Sequence, residues 1–282
     1  MNLPLCLAAA TATRAGSRLP VVLDGELVGS VGRDQLDLLR TWPQWVQIGP
    51  DKLTLTVPAP QREAALAEVH RRLHAEGRLG GWRDETFAIV GPRSGRVLAL
   101  IERTAARFWG TLTHGAHANG YLADAQGRPT HLWIAQRAFD KPTDPGLLDN
   151  LIGGGVPHGE PPARTLVREG LEEAGLDEAT LAAARAAGHL TVCRDVREGL
   201  QHECLHVFDL PLPPGLTPHN LDGEVAGFRL LTLDEARGLA WGDAMTMDSA
   251  LVTVDFLHRH GQLDAPGLGA ALAALKTPAV AA

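Results

Sequence analysis

The stretch GGGVPHGEPPARTLVREGLEEAGL, residues 153–176, packs a triple glycine, a proline pair and four glutamates into one short segment. Pro161 and Pro162 suit the first turn of a helix, where a missing N–H is harmless, and Gly175 suits its C-terminal cap. Between these ends Ala163, Leu166, Val167, Gly170, Leu171 and Ala174 recur at helical spacing, which predicts an apolar stripe against a sheet. The opposite face is expected to carry Glu169, Glu172 and Glu173, with Glu169 and Glu173 one turn apart. Carboxylates this close repel one another unless a cation sits among them. Oxygen-only ligands favour a hard divalent ion, and Mg²⁺ is usually held by a few carboxylates plus substrate phosphate and waters. Arg168 and Glu172, four residues apart, are placed to pair and orient the cluster.

Outward from this helix, residues 115–124, 130–138, 190–196, 201–212 and 225–233 read as strands, and SALVTVDFLHRHG at 249–261 reads as a closing helix. Upstream, LPVVLDGELVGSV at 19–31 alternates apolar and polar residues around Asp24-Gly25, a hairpin signal. Helices are expected at 33–42 and 61–77, and strands at 52–57 and 85–90. His70 and His74 lie on so charged a helix that they are expected to be solvated, and no catalytic constellation is visible in this region. The fold class expected is α+β: a small N-terminal α+β domain (1–108), a mixed-sheet α/β sandwich (109–265) and an alanine-rich tail (266–282) expected to form a marginal, fraying helix.

A formal charge of −7 leaves no basic surplus with which to grip nucleic acid or an anionic membrane, so a phosphate ligand must be held locally, through a metal. Cys6, Cys193 and Cys204 cannot all pair and form no C-x-x-C cluster, which fits a reducing, cytoplasmic setting. The opening MNLPLCLAAATATRAG has no basic n-region and contains Pro4; a short helix or frayed start is expected rather than a signal peptide. No other apolar run approaches the ~20 residues of a membrane span.

The opening segment also fits G-x5-E-x7-R-E-U-x-E-E-x-G-U, with Gly154, Glu160, Arg168, Glu169, Glu172, Glu173, Gly175 and Leu176 in register. This is the Nudix box, and the chain resembles the Nudix hydrolases, whose fold is an α/β/α sandwich with this loop–helix–loop as the metal site. Gly170 stands where an aliphatic residue is usual, and reads as permitting close approach of helix and sheet. The resemblance implies Glu169 and Glu173 as principal ligands of Mg²⁺ (or Mn²⁺), Glu172 completing the shell, and Glu160 and Arg168 bracing the loop. Glu224, in LDGEVAGF, is a further ligand, a general base or a turn carboxylate; the base stays open among Glu169, Glu172 and Glu224. The reaction implied is attack of an activated water on a diphosphate.

The segments GAHANGY, HLWIAQR, DKPTDPGLLDNLIGGG and DGEV, preceded by a hairpin-plus-helix domain, are similar to the thiamine-pyrophosphokinase-related Nudix subfamily. That resemblance implies hydrolysis of thiamine diphosphate, and preferentially its oxidised analogues, to the monophosphate and phosphate, which removes damaged cofactor. In the loop at 141–150, Asp144 stands where tyrosine is common and Leu147 where lysine is common. Lys141, Asn119, Trp133, Arg137 and Asn150 are the candidate substrate contacts; Trp133 also fits a core position, and Asn150 a turn. The same box serves diphosphatases acting on nucleotide sugars, dinucleotides or coenzymes. A binding module without catalysis would show eroded acids in the box, and here all four glutamates stand. The N-terminal unit is a candidate to dimerise or to cover the site. In HECLH, His202, Cys204 and His206 share one strand face and are zinc-competent, but no fourth ligand is evident nearby, and a half-buried strand face is the expected meaning.

Overall fold

The computed structural model describes residues 3–277. In the N-terminal half, helix α1 (Leu5–Ala9) is followed by strands β1 (Arg18–Leu23) and β2 (Glu26–Gly32), the short helix α2 (Leu36–Leu39), β3 (Val46–Ile48), β4 (Leu53–Leu55), helix α3 (Arg62–Ala75), β5 (Thr86–Val90), β6 (Val97–Glu102) and α4 (Ala105–Trp109). The hairpin turns where expected: Asp24 and Gly25 both have positive φ, 51° and 76°, the conformation a two-residue turn between twisted strands requires. Strands β2, β1, β4 and β3 form one sheet in that order, while β5 and β6 make a separate hairpin. A single core that includes Leu19, Leu23, Leu53, Leu73, Ile89 and Trp109 joins the two. Arg62, 5% exposed, ties them by pairing with Asp24 at 2.8 Å and donating to the carbonyl of Leu98.

The C-terminal half comprises β7 (Thr113–Ala123), β8 (Pro129–Arg137), β9 (Leu148–Asp149), β10 (Ile152–Gly155), α5 (Pro162–Ala174), α6 (Glu178–Leu181), β11 (Arg185–Val196), β12 (Gly199–Pro211), β13 (Val225–Thr232), α7 (Leu233–Trp241), α8 (Met247–Arg259) and α9 (Leu268–Leu275). The sheet runs β11-β12-β7-β8-β13, with β10 paired to β7 and β9 to β8. It is mixed, because β12 and β7 are parallel while β11/β12, β7/β8 and β8/β13 are antiparallel. One sheet face is covered by α1, α7, α8 and α9 around Leu132, Leu205, Leu251 and Phe256. The other is covered by α5 and α6 around Ala118, Leu166, Ala174, Leu181 and Leu210. Helices on both faces of a mixed sheet make the expected α/β/α sandwich, and the chain as a whole is α+β.

Four expectations need correction. His70 is 1% exposed rather than solvated; it accepts a hydrogen bond from Trp109 Nε1 at 2.9 Å, and burial pushes its pKa down to about 3. The alanine-rich tail does not fray over 268–275, because Leu268, Leu272 and Leu275 dock into the sandwich core; residues 278–282 lie outside the described residues. Helix α1 also belongs to that core through Cys6, Leu7 and Ala10, so it packs on α7 and α8 rather than with the N-terminal sheet. Finally α5 is rotated from the expected orientation: Ala163 is exposed, while Thr165 and Glu173 are buried beside Leu166, Gly170 and Ala174. The helix lies across β10, so the flank carrying Glu173 faces main chain instead of water.

Gly170 is where that packing is closest. A Cβ there would stand 2.5 Å from Leu181 Cδ2 and 3.0 Å from Ile152 Cδ1, so the helix sits on β10 and α6 with no room for the usual aliphatic residue. Gly170→Ala is expected to be near neutral, because up to about 1 kcal/mol of helix propensity offsets the small shift of Leu181. Gly170→Leu should destabilise by roughly 1–3 kcal/mol through overpacking. Thermal melts of both variants check this, and an unchanged midpoint for Gly170→Leu would refute the close contact.

Candidate active site

The triple glycine is strand β10, and each of its residues has a neighbour that needs the missing side chain. Gly153 and Gly154 pair with His117 and Ala116 of β7, and α5 crosses over them. A Cβ on Gly154 would collide with the carboxylate of Glu169. The Gly153 N–H donates to Glu173 Oε2 at 3.2 Å. A Cβ on Gly155 would meet the Arg103 guanidinium and the Phe87 ring, both at 3.2 Å. Bare main chain thus lets two glutamates from the helix and one arginine from the N-terminal half converge on one strand. The helix that presents the glutamates starts with Pro162 at its first position and ends at Gly175, which has the left-handed φ of 61° that favours glycine.

Glu169 and Glu173 are largely withdrawn from water, with side chains 14% and 8% exposed, whereas the Glu172 side chain is 50% exposed. Arg168 reaches three acids: Glu169 at 2.9 Å, Glu172 at 3.3 Å and Glu160 at 3.5 Å. Glu160 also accepts from Thr165 Oγ1 at 3.1 Å, so the loop before the helix is tied to its first turns. Lys141, on the β8–β9 loop, stands 2.5 Å from Glu224 and 3.7 Å from Glu173. Glu224 also meets Arg83 at 3.2 Å.

These neighbours pull the carboxyl groups apart. Burial and the adjacent Glu169 push Glu173 up to about 8, against a smaller opposing pull from Lys141. Burial, only partly offset by Arg168, raises Glu169 as well. Burial alone would raise Glu224 too, but hydrogen bonding and charge from Lys141, with Arg83 behind it, hold it below its ordinary value.

These groups line a cleft of about 520 Å³, within the range of small-molecule sites. Of the expected substrate contacts, Lys141 and Arg137 line it, and Asn119, Trp133 and Asn150 do not. Trp133 packs in the core beneath α5. Asn119 and Asn150, 1% and 2% exposed, form a buried amide chain in which Asn150 Nδ2 donates to Asn119 Oδ1 at 3.1 Å and Asn150 Oδ1 meets His117 Nδ1 at 3.3 Å. They brace His117, which does face the cleft. Arg137 is engaged with Asp149 at 2.8 Å and with the carbonyls of Thr143 and Asp144, so it holds the loop that carries Lys141.

Sequence reasoning missed two groups of cleft residues. The N-terminal half supplies Arg83, Glu85, Arg103 and Arg107, and the Arg103 guanidinium lies 3.0 Å from Glu85. The floor adds His117, Asp149, Glu203 and Asp248, with Gln201 donating to both Glu203 and Asp248. Hydrophobic periodicity marks none of these; the arginines look like surface residues until the halves are docked. Among the described residues one group of three metal-competent side chains lies within 4.8 Å, and it is His114, Cys204 and His206 rather than the glutamates.

Because its folded-state value lies above the ordinary 4.5, Glu173 keeps a proton in the folded chain that the unfolded chain releases. Without divalent cation, its contribution is fully present below about 4.5 and is lost as pH rises through about 8, at up to about 1.4 kcal/mol per pH unit. Chelator-treated protein is therefore expected to lose stability across that window, and Glu173→Gln to lose less; denaturant melts at stepped pH check the difference. Equal slopes would contradict the burial of this carboxyl.

The NUDIX domain family matches residues 113–250, and a domain of unknown function (DUF4743) matches residues 4–113. The chain is 32% identical to Nudix hydrolase 20, chloroplastic, of Arabidopsis thaliana, covering 88% of this chain and 69% of that protein. It is also 32% identical to Nudix hydrolase 24, chloroplastic, of the same plant, covering 90% and 71%. Among solved structures, the crystal structure of DR0079 from Deinococcus radiodurans aligns with a TM-score of 0.44 at 25% identity, covering 60% of this chain and 97% of that one. With the box in register from Gly154 to Leu176 and relatives matched along most of their length, the chain belongs to the Nudix hydrolase family.

Proposed function

We propose that this Nudix hydrolase is a Mg²⁺-dependent diphosphatase acting on thiamine diphosphate and, preferentially, its oxidised analogues, releasing the monophosphate and phosphate. The observation that carries the chemistry is half-buried Glu169 beside buried Glu173 against glycine main chain. Two adjacent, largely withdrawn carboxylates with oxygen-only donors suit a hard divalent ion, whose charge would offset the burial and like-charge repulsion that raise Glu173. Glu169 and Glu173 would hold the ion, with Glu172 at its solvent side. When bound, Mg²⁺ supplies charge neutralisation of the diphosphate and a lowered pKa for bound water.

The chain's own residues then divide the remaining work. Glu160 and Arg168 fix the loop and the helix to each other. Of the acids left open as base, Glu172 is exposed beside Arg168 and Glu224 is held ionised by Lys141 and Arg83. Glu169 lines the cleft beside both and completes the set of three acids from which the base would come. Lys141, 9% exposed and between Glu173 and Glu224, suits the terminal phosphate as a point charge. Arg83 and Arg103 suit the second phosphate as planar donors from the opposite wall.

The thiamine reading rests on the segments at 115–121, 131–137, 140–155 and 222–225. Because the N-terminal half walls the cleft within the same chain, its role is read as covering the site rather than completing it by dimerisation. Three free cysteines fit a reducing compartment such as the cytoplasm. One observation favours a second reading: besides Arg83, Arg103, Arg107 and Arg168, each paired with an acid, Arg197 lines the cleft, a further cation that suits a nucleotide sugar, dinucleotide or coenzyme.

Phosphate release over a panel of thiamine diphosphates, ADP-ribose, dinucleoside polyphosphates and nucleotide sugars decides between them. Turnover of the nucleotides alone would sink the thiamine reading. On the preferred substrate, Glu173→Gln is expected to lower kcat by roughly 10³-fold, equivalent to several kcal/mol of lost charge stabilisation. Arg103→Ala is expected to raise KM about 10-fold or more, since a charge-assisted hydrogen bond contributes about 1.5–3 kcal/mol. A KM unchanged in Arg103→Ala would remove the N-terminal wall from substrate binding.

A further inference from the structure

On the α5 side of the sheet, outside the glutamate cluster, three soft-metal ligands meet on neighbouring parallel strands. His114 of β7 is the register partner of Cys204 on β12, and His206 lies two residues further along β12. One ligand atom from each lies within 4.8 Å of the others. His114 Nδ1 and His206 Nε2 are 3.1 Å apart, and their rings are tilted by 32° rather than stacked. Two imidazole nitrogens bound tetrahedrally to one zinc ion, at about 2.0–2.1 Å each, stand roughly 3.3 Å from each other. The separation, at which the two rings hydrogen-bond, is close to that of a chelating pair, and the Cys204 sulfur lies within 4.8 Å of both nitrogens. The same face carries further zinc-competent side chains: His202 precedes Cys204 by two residues, and Cys193 and His189 of β11 pair with His202 and His206. His202 is 6% exposed, and its buried Nε2 has no hydrogen-bond partner.

We propose that His114, Cys204 and His206 form a second metal site, selective for a borderline-soft divalent ion such as Zn²⁺ and distinct from the carboxylate site. Thiolate and imidazole ligands select against Mg²⁺ and for zinc-type ions, as carboxylates do the reverse. His114 is exposed, so the fourth position opens to solvent and the ion is exchangeable. The site bridges β7 to β12, the parallel pair whose opposite face presents His117 and Glu203 to the cleft. An ion held there would pin the register of that pair.

Cobalt(II) titration of the untagged full-length chain with Mg²⁺ in excess tests this, since only a thiolate ligand gives a sulfur-to-cobalt charge-transfer band in the near ultraviolet. One equivalent of cobalt is expected to produce the band and Zn²⁺ to abolish it by displacement. Cys204→Ser should eliminate it, Cys193→Ser should retain it, and His114→Ala or His206→Ala should each weaken binding by more than about 10-fold, the lower bound for losing even a ligand's supporting partner. Absence of the band in the unaltered protein, its persistence in Cys204→Ser, or undiminished affinity in both histidine variants would overturn the proposal. The first of these outcomes needs no substitution, so it holds whatever the variants do to folding.

Discussion

Two carboxylates of like charge, one half-buried and one buried, set one helical turn apart against the glycine main chain of β10, govern everything around them. Glu169 and Glu173 can lie on β10 only because Gly153 and Gly154 leave the main chain bare and because Gly170 lets α5 settle onto Ile152 and Leu181. Neither residue is comfortable there, as the raised Glu173 makes plain. The surrounding cations follow from that discomfort. Arg168 is shared among three acids, and Lys141 between two, so positive charge is spread around the pair rather than confined to one partner.

The N-terminal half answers the same electrostatic demand from across the cleft. Arg103 rests over Gly155, Arg83 holds Glu224, and the main-chain N–H of His158 in the box loop donates to the carbonyl of Thr86 on β5. The cleft is therefore a property of the docked pair of halves. Its cations are interleaved with a larger number of carboxylates, and Arg83, Arg103 and Arg107 are each paired with one of them.

The sequence was informative where chemistry is local. Helix α5 could be bounded by Pro162 and Gly175, the hairpin at Asp24-Gly25 by its turn residues, and the sandwich by the strands around the box. Its failures have physical causes. Periodicity put Glu173 on a solvent face because a hydropathy pattern does not register a glycine strand that accepts a carboxylate. Trp133, Asn119 and Asn150 carry groups typical of ligand contacts, yet tertiary packing turns them inward. His70 looked solvated on a charged helix, but Trp109, distant in sequence, lies over it. The cleft arginines were illegible for the same reason: their meaning lies in docking, which single-chain patterns do not encode. Helix α9, read as marginal from composition, is held by three leucines against a core no local window could reveal.

The placement of α1 has a consequence for how the two halves are joined. The chain begins its described course in the sandwich core, then runs along the edge of β11, where the main-chain N–H groups of Cys193 and Asp195 donate to the carbonyls of Ala10 and Ala12. It leaves to build the N-terminal sheet and returns through α4. The N-terminal half is thus an insertion within the sandwich, anchored by two crossings instead of one. A lobe tethered twice cannot swing freely on a single linker, so any opening of the cleft must bend both strands of the tether together, and cutting the chain near residue 108 would strip an integral helix from the enzyme core instead of freeing a module.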